Sequence, residues 1–197
     1  MTTVIVDGGG SNLGSVRYAL ERLGVRAEVS SDAEKIRRAS HVILPGVGAA
    51  GIAMARLRAG GLDRVLATLK QPLLGVCLGM QLLFEHSEEG DTACLGILPG
   101  KVRRIPANGN LRVPHMGWNA LRVEREEPLL AGINADSAYV YFVHSYAAPI
   151  DPNTQATTHY GNPFSAVVRR DNVCGMQFHP ERSGELGAQL LRNFLRL

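Results

Sequence analysis

Along the first half of the chain, short apolar runs alternate with segments whose apolar side chains recur at helical spacing. Thr3 to Val6 is a β-branched run ending in Asp7, followed by Gly8-Gly-Gly-Ser-Asn12 and then by Val16, Leu20 and Leu23; this predicts strand, glycine-rich loop and helix. Arg26 to Ser30 predicts a second strand, Ala33 to Arg38 a short helix, and His41 to Leu44 a third strand leading into Pro45-Gly-Val-Gly48. The apolar run from Pro72 to Val76 leads into Leu78, Gln81, Leu82 and Glu85 at helical spacing, so the chain turns sharply at Cys77. Such alternation predicts a mostly parallel sheet covered by helices on both faces.

From Leu95 onward the pattern changes. Gly96 to Gly100, Lys101 to Ile105, Gly117 to Val123, Tyr139 to Val143, Thr154 to Tyr160, Ser165 to Arg169 and Val173 to Phe178 read as short strands separated by turn residues. They predict a mixed or antiparallel strand region added to the sheet. Gly184 to Leu197 carries Leu186, Leu190, Leu191, Phe194 and Leu195 mostly on one face, a last helix packed back onto the sheet. The fold class is therefore α/β. No linker, repeat or low-complexity segment divides the chain, and 197 residues at 45% hydrophobic composition suit one domain spanning residues 1–197.

Charge and cysteine usage narrow the chemistry. A net charge of +3 without basic runs or interleaved aromatic residues argues against a nucleic-acid surface. The N-terminus lacks a basic leader and no apolar stretch reaches membrane-spanning length, so a soluble, cytoplasmic protein is expected. Three separated cysteines without a C-x-x-C pair fit neither a disulfide framework nor a zinc site. No metal or cofactor is expected, and Cys94 and Cys174 read as structural. Leu13 stands where a dinucleotide fingerprint needs its third glycine, and no P-loop occurs, so the glycine-rich loop reads as a turn or a contact surface.

Gly75-Val-Cys-Leu-Gly79 has the pattern of a nucleophile elbow in its cysteine version. That geometry would leave Cys77 exposed at a helix N-terminus, where unpaired N–H groups favour the thiolate. By itself the pattern fits a buried structural cysteine equally well. In parallel sheets, sites lie at the carboxyl ends of strands, which makes Pro45 to Gly48 a plausible neighbour. An N–H from the Val47–Gly48 region and the N–H of Leu78 could form an oxyanion hole, although the loop alone reads as an ordinary strand-to-helix turn. Pro180 biases His179 towards extended geometry, so that His179 and Glu181 project to the same side as a base and its orienting acid. Elbow, loop and His-x-Glu together in one α/β chain point to a Cys-His-Glu triad.

Gly75-Val-Cys-Leu-Gly-Met-Gln81 and Gln177-Phe-His-Pro-Glu181 resemble the class I, or triad, glutamine amidotransferases, and the resemblance extends over essentially the whole chain. It implies Cys77 as nucleophile, His179 as general base then acid, and Glu181 as its carboxylate. It implies L-glutamine as substrate, held by the backbone at Gly46 and Gly48, by the Gln81 side chain and by Ser145-Tyr146. His115-Met-Gly-Trp-Asn119 and Tyr141-Phe-Val-His-Ser-Tyr146 are similar to the members that pass ammonia to a cyclase subunit with a (β/α)8 barrel, in a heterodimer. Asn12 and Trp118 would lie at that interface, whereas a lone tryptophan by itself reads as core. The chain departs from the family in Gly8 to Gly14, which lacks an aromatic and a basic residue, and in Arg182, where lysine is more frequent. Another synthase partner, or a stand-alone hydrolase of γ-glutamyl substrates, is the competing reading.

Overall fold

The structure, a computed structural model, describes residues 2–9, 12–107, 111–134 and 138–197; Gly10 and Ser11 of the glycine-rich loop lie outside them. In the first half, strands β1 (Thr3–Val6), β2 (Ala27–Ser30), β3 (His41–Gly46) and β4 (Leu73–Cys77) alternate with helices α1 (Leu13–Arg22), α2 (Ala33–Arg38), α3 (Ala50–Ala59), α4 (Leu62–Ala67) and α5 (Leu78–Leu82). Then come β5 (His86–Ser87), β6 (Thr92–Ala93), β7 (Lys101–Arg104), β8 (His115–Ala120), β9 (Arg122–Val123), β10 (Tyr139–His144) and β11 (Tyr146–Ala147). The chain closes with β12 (Thr154–Tyr160), β13 (Asn162–Arg170), β14 (Val173–Met176) and α6 (Gly184–Phe194).

The main sheet has eight strands in the order β2-β1-β3-β4-β14-β13-β12-β9. The first five run parallel, and β13, β12 and β9 continue antiparallel, as the change of pattern after Leu95 predicts. β8 and β10 form a separate antiparallel ribbon, and β11, β7, β5 and β6 a small third sheet. Among the described residues no helix is long and apolar enough to cross a membrane.

Alternation along the strands builds two cores. Ile5, Ile43, Leu74 and Val76 meet Val16 and Leu20 of α1 and Leu190, Leu191 and Phe194 of α6. Val4, Val6, Val42 and Leu44 face the other way, onto Ile36, Met54, Leu57, Val65, Leu66 and Met80 of α2 to α5. The helices therefore cover both faces. Each of the fully buried α6 side chains contributes roughly 1.5–3 kcal/mol of transfer free energy, an upper bound because unfolded chains bury some surface too.

Three differences from the sequence reading have physical causes. Gly96 to Gly100 forms no strand; the N–H groups of Leu95, Gly96, Ile97 and Leu98 instead donate to the carbonyls of Leu82, Phe84, Leu83 and Leu83, closing off the end of α5. Gly117 to Val123 breaks at Leu121, because β8 pairs with β10 whereas β9 pairs with β12. β14 ends at Met176, two residues early, as Gln177 N turns to Ala166 O and His179 N to Tyr141 O. Helices α3 and α4 lie where the sequence reading names no element; they bury Ala50, Met54 and Leu57, then Leu62, Val65 and Leu66.

Candidate active site

Register places the candidate residues. Gly46, the last residue of β3, is level with Cys77, the last of β4, and Met176 of β14 is level with Val76. The loops after β3 and after β14 therefore emerge on either side of Cys77, at the carboxyl end of the parallel strands. Cys77 has φ 54° and ψ −114°, a left-handed geometry uncommon for a side chain with a Cβ. The strain falls on Cys77 itself, while the flanking glycines serve close packing. A Cβ on Gly75 would sit 2.7 Å from Gly79 O, and one on Gly79 would sit 1.8 Å from Leu44 O. Both glycines let α5 lie directly against the strands.

Cys77 is only 6% exposed, contrary to the expectation of an exposed thiol, because the walls of the site close over it. It opens into a cavity of about 330 Å³ shared with Gly48, Gln81, Glu89, Tyr146 and His179. Val47, Leu78 and Ser145 also line that cavity. Gly46 does not; a Cβ there would meet Gly79 N at 2.7 Å, and the residue faces a neighbouring cavity of about 380 Å³. Val47 and Gly48 line both, so the loop after β3 is the partition between them, with Gly48 at φ 94°.

His179 is extended, as Pro180 requires, but Glu181 sits in a 3-10 turn over Pro180–Arg182 instead of continuing the extended segment. The turn still brings the pair together: His179 Nδ1 is 2.8 Å from Glu181 Oε1. Since that carboxylate oxygen can only accept, Nδ1 carries the proton and Nε2 is the basic nitrogen of the neutral ring. His179 Nε2 is buried and has no hydrogen-bond partner among the described residues. Ser183 Oγ donates to His179 O at 2.7 Å, and Tyr141 N donates to Ser183 Oγ at 3.0 Å, which ties this turn to the β8–β10 ribbon. Asn12 comes from the other end of the chain and donates to Glu181 Oε1 at 2.7 Å.

Burial lowers the affinity of His179 for a proton, but the neighbouring Cys77 and the hydrogen-bonded Glu181 carboxylate outweigh it and push the pKa up to about 10. Burial raises that of Glu181, and the His179 and Asn12 contacts overcome it, holding the carboxyl below its usual range. The arrangement keeps a proton on the histidine at neutral pH, where it can serve as an acid.

Gln81 donates its side-chain amide to Tyr146 O at 2.8 Å and to Gln177 Oε1 at 3.0 Å. Trp118 is 56% exposed, not core; it lies on the outer face of the ribbon with Met116 at 63% and Tyr139 at 55%. Its ring meets Tyr141 edge-on, and Tyr141 in turn carries the Arg182 guanidinium 4.4 Å above its ring. Sequence reasoning missed Glu89, His144 and Gln177. Glu89 Oε2 accepts from Ala50 N at 2.7 Å, the first residue of α3, and nothing in the spacing of the sequence connects those two segments. Gln177 had a signal, two residues before His179. All three cysteines are free, burial raises Cys94 to about 11 and Cys174 to about 12, and both stay outside the site. Among the described residues no cluster of three or more His, Cys, Asp or Glu could hold a metal ion.

The sequence pattern of the family described as glutamine amidotransferase class-I matches residues 4–197. The chain belongs to this family. It is 59% identical to the imidazole glycerol phosphate synthase subunit HisH of Xanthomonas campestris over 98% of this chain and 96% of that protein. The HisH subunit of Xylella fastidiosa is 56% identical over 100% of this chain and 98% of its own length. The fold agrees with a solved glutamine amidotransferase (TM-score 0.75, 21% identity, covering 98% of this chain and 97% of that one). PurLQS from Thermotoga maritima gives a TM-score of 0.74 at 20% identity, covering 99% and 97%.

Proposed function

We propose that this chain is the glutaminase subunit of a cytoplasmic imidazole glycerol phosphate synthase, hydrolysing L-glutamine and delivering the ammonia to a cyclase subunit in histidine biosynthesis. The observation that carries the chemistry is the His179–Glu181 pair set beside Cys77 by the register of β4 and β14. The pathway rests on 59% identity to HisH over nearly the full length of both chains.

Glutamine enters the 330 Å³ cavity with its side-chain amide at Cys77. The Cys77 thiolate attacks the amide carbon, and the oxyanion is received by N–H groups at Leu78 and the Val47–Gly48 peptide. His179 then gives its proton to the leaving nitrogen, ammonia departs, and a glutamyl thioester remains. Water attacks the thioester as His179 takes its proton; the C–S bond breaks, and glutamate and the thiolate are restored. Glu181, fixed by Asn12, keeps His179 in one orientation throughout. The Glu89 carboxylate in the cavity wall suits the substrate's α-ammonium group, while Gln81, Ser145 and Tyr146 hold the rest of it. Gly46 acts by letting the loop after β3 lie against the elbow.

The exposed apolar face of Met116, Trp118 and Tyr139 is the docking surface for the cyclase, a (β/α)8 barrel. Asn12, bonded to Glu181, would lie where that surface meets the triad. The ammonia reacts in the cyclase subunit with a phosphoribulosyl-formimino carboxamide nucleotide, giving imidazole glycerol phosphate and aminoimidazole carboxamide ribotide. Reconstitution with the cyclase tests this. Cys77→Ala should abolish glutamine-dependent synthesis and leave ammonia-dependent synthesis intact; loss of both would make Cys77 structural and overturn the reading.

A further inference from the structure

We infer that Gln177 is a further catalytic residue, whose side-chain amide donates to the Cys77 sulfur and stabilises its thiolate. Gln177 is fully buried, and its Nε2 lies 3.9 Å from Cys77 Sγ, within hydrogen-bond range for sulfur. This deepens the glutaminase reading and rests on it.

The direction of that contact follows from one atom at the far end of a chain of bonds. Tyr146 O is a backbone carbonyl and can only accept. Gln81 must therefore present its NH2 to Tyr146 O, and that same NH2 also faces Gln177 Oε1. Gln177 has its oxygen committed to Gln81, so its own NH2 points at the sulfur. His144 Nδ1 is 2.8 Å from Tyr146 O and carries a proton for the same reason. Its Nε2 then accepts from His115 Nδ1 at 3.0 Å, and His115 Nε2 accepts from Asn119 Nδ2 at 3.2 Å. Two side chains thus donate to one carbonyl, which holds the Gln81–Gln177 amides against rotation.

The thiol has a second neighbour of opposite preference. Cys77 Sγ is 3.8 Å from Val143 O, an acceptor that suits S–H and opposes S⁻. The Gln177 N–H suits S⁻ and offsets it. Removing the amide would leave the Val143 carbonyl unopposed beside the developing thiolate, and the attacking species would become scarcer at neutral pH. Of the other ionisable groups facing the same cavity, Glu89, His144 and Tyr146 come from other segments, and His179, two residues along from Gln177, keeps its own bond to Glu181 when Gln177 is changed.

The test uses the full chain with its activating partner. Gln177→Met keeps the length of the side chain and removes the donor; Gln177→Glu replaces it with a carboxylate that cannot donate when ionised. Iodoacetamide labelling of Cys77 is followed against pH, together with glutaminase kinetics. The inference predicts a labelling profile displaced upward by about one pH unit in Gln177→Met and further in Gln177→Glu. It also predicts kcat lowered about tenfold with KM within about twofold, the pattern of an interaction made to the reacting group. A labelling profile superimposable on the wild type overturns it. Should either variant fail to fold, the wild type still decides: the side-chain amide protons of Gln177 should shift in NMR spectra as the thiol ionises and lose that response after alkylation. No response would equally overturn the inference. Absence of glutamine hydrolysis by the wild-type complex would instead refute the glutaminase reading, so the two failures are distinguishable.

Discussion

Gly79→Ala tests the packing that sets the elbow against the loop after β3. The added Cβ would stand 1.8 Å from Leu44 O, against the ~3.3 Å at which carbon approaches a carbonyl oxygen, so the start of α5 must lift by roughly 1.5 Å. The neighbours offer no slack. Gly46 already lies so close to α5 that its own Cβ would meet Gly79 N at 2.7 Å, and Leu44 is fixed in the core. Overpacking of this kind costs about 1–3 kcal/mol of stability. Activity should suffer more, because a ~1 Å misplacement of reacting groups costs about 100-fold and the lift separates Leu78 N–H from Val47 and Gly48. The assay is glutamate release by the stimulated complex, with a urea midpoint measured alongside. Gly96→Ala is the control: Gly96 has φ +66° but nothing within 4 Å of its Cβ position, so it should cost about 1–2 kcal/mol and leave the rate unchanged. A Gly79→Ala enzyme with wild-type rate and wild-type midpoint would refute the close-packing argument.

Two more outcomes follow from the structure. Burial pushes His115 down to about 4 and His144 to about 3 and lowers His41, so all three are neutral in the folded chain where the unfolded chain protonates them below 6.5. The part of the stability that depends on these three should be full above that value and fall as pH drops from 6.5 towards 4, by up to about 1.4 kcal/mol per pH unit for each extra proton bound by the unfolded state. His179 adds nothing in that window, since a pKa raised to about 10 leaves it protonated in both states there; its own contribution fades only as pH rises towards 10. Urea midpoints that match at pH 7.5 and pH 5 would contradict this. Trp118→Ala should weaken cyclase binding about 30-fold, in the range of an exposed aromatic anchor, without changing the rate of Cys77 alkylation. A change in alkylation with unaltered binding would place Trp118 in the site instead of the interface.

The parallel half of the fold was legible because its strands are short apolar runs, and α2 falls on Ala33–Arg38 as read. The candidate triad was legible as two local patterns, elbow and His-x-Glu, and the sheet register brings Cys77 and His179 to one cavity. α3 escaped notice since its buried residues are an alanine, a methionine and a leucine among small and basic neighbours. Burial of Cys77 could not be read from its neighbours in sequence, because the walls over it come from segments as distant as Glu89 and Tyr146. Asn12 illustrates the same limit: its partner Glu181 is 169 positions away, and only the return of the last strand to the sheet centre makes them meet.

The most direct test of the central claim is glutamate release from glutamine by the chain alone, with the cyclase subunit, and with the cyclase and its nucleotide ligand. The account predicts slow release by the chain alone and a large rise only when partner and nucleotide are both present. Rapid release by the isolated chain, unaltered by either, would contradict it and point to a stand-alone hydrolase.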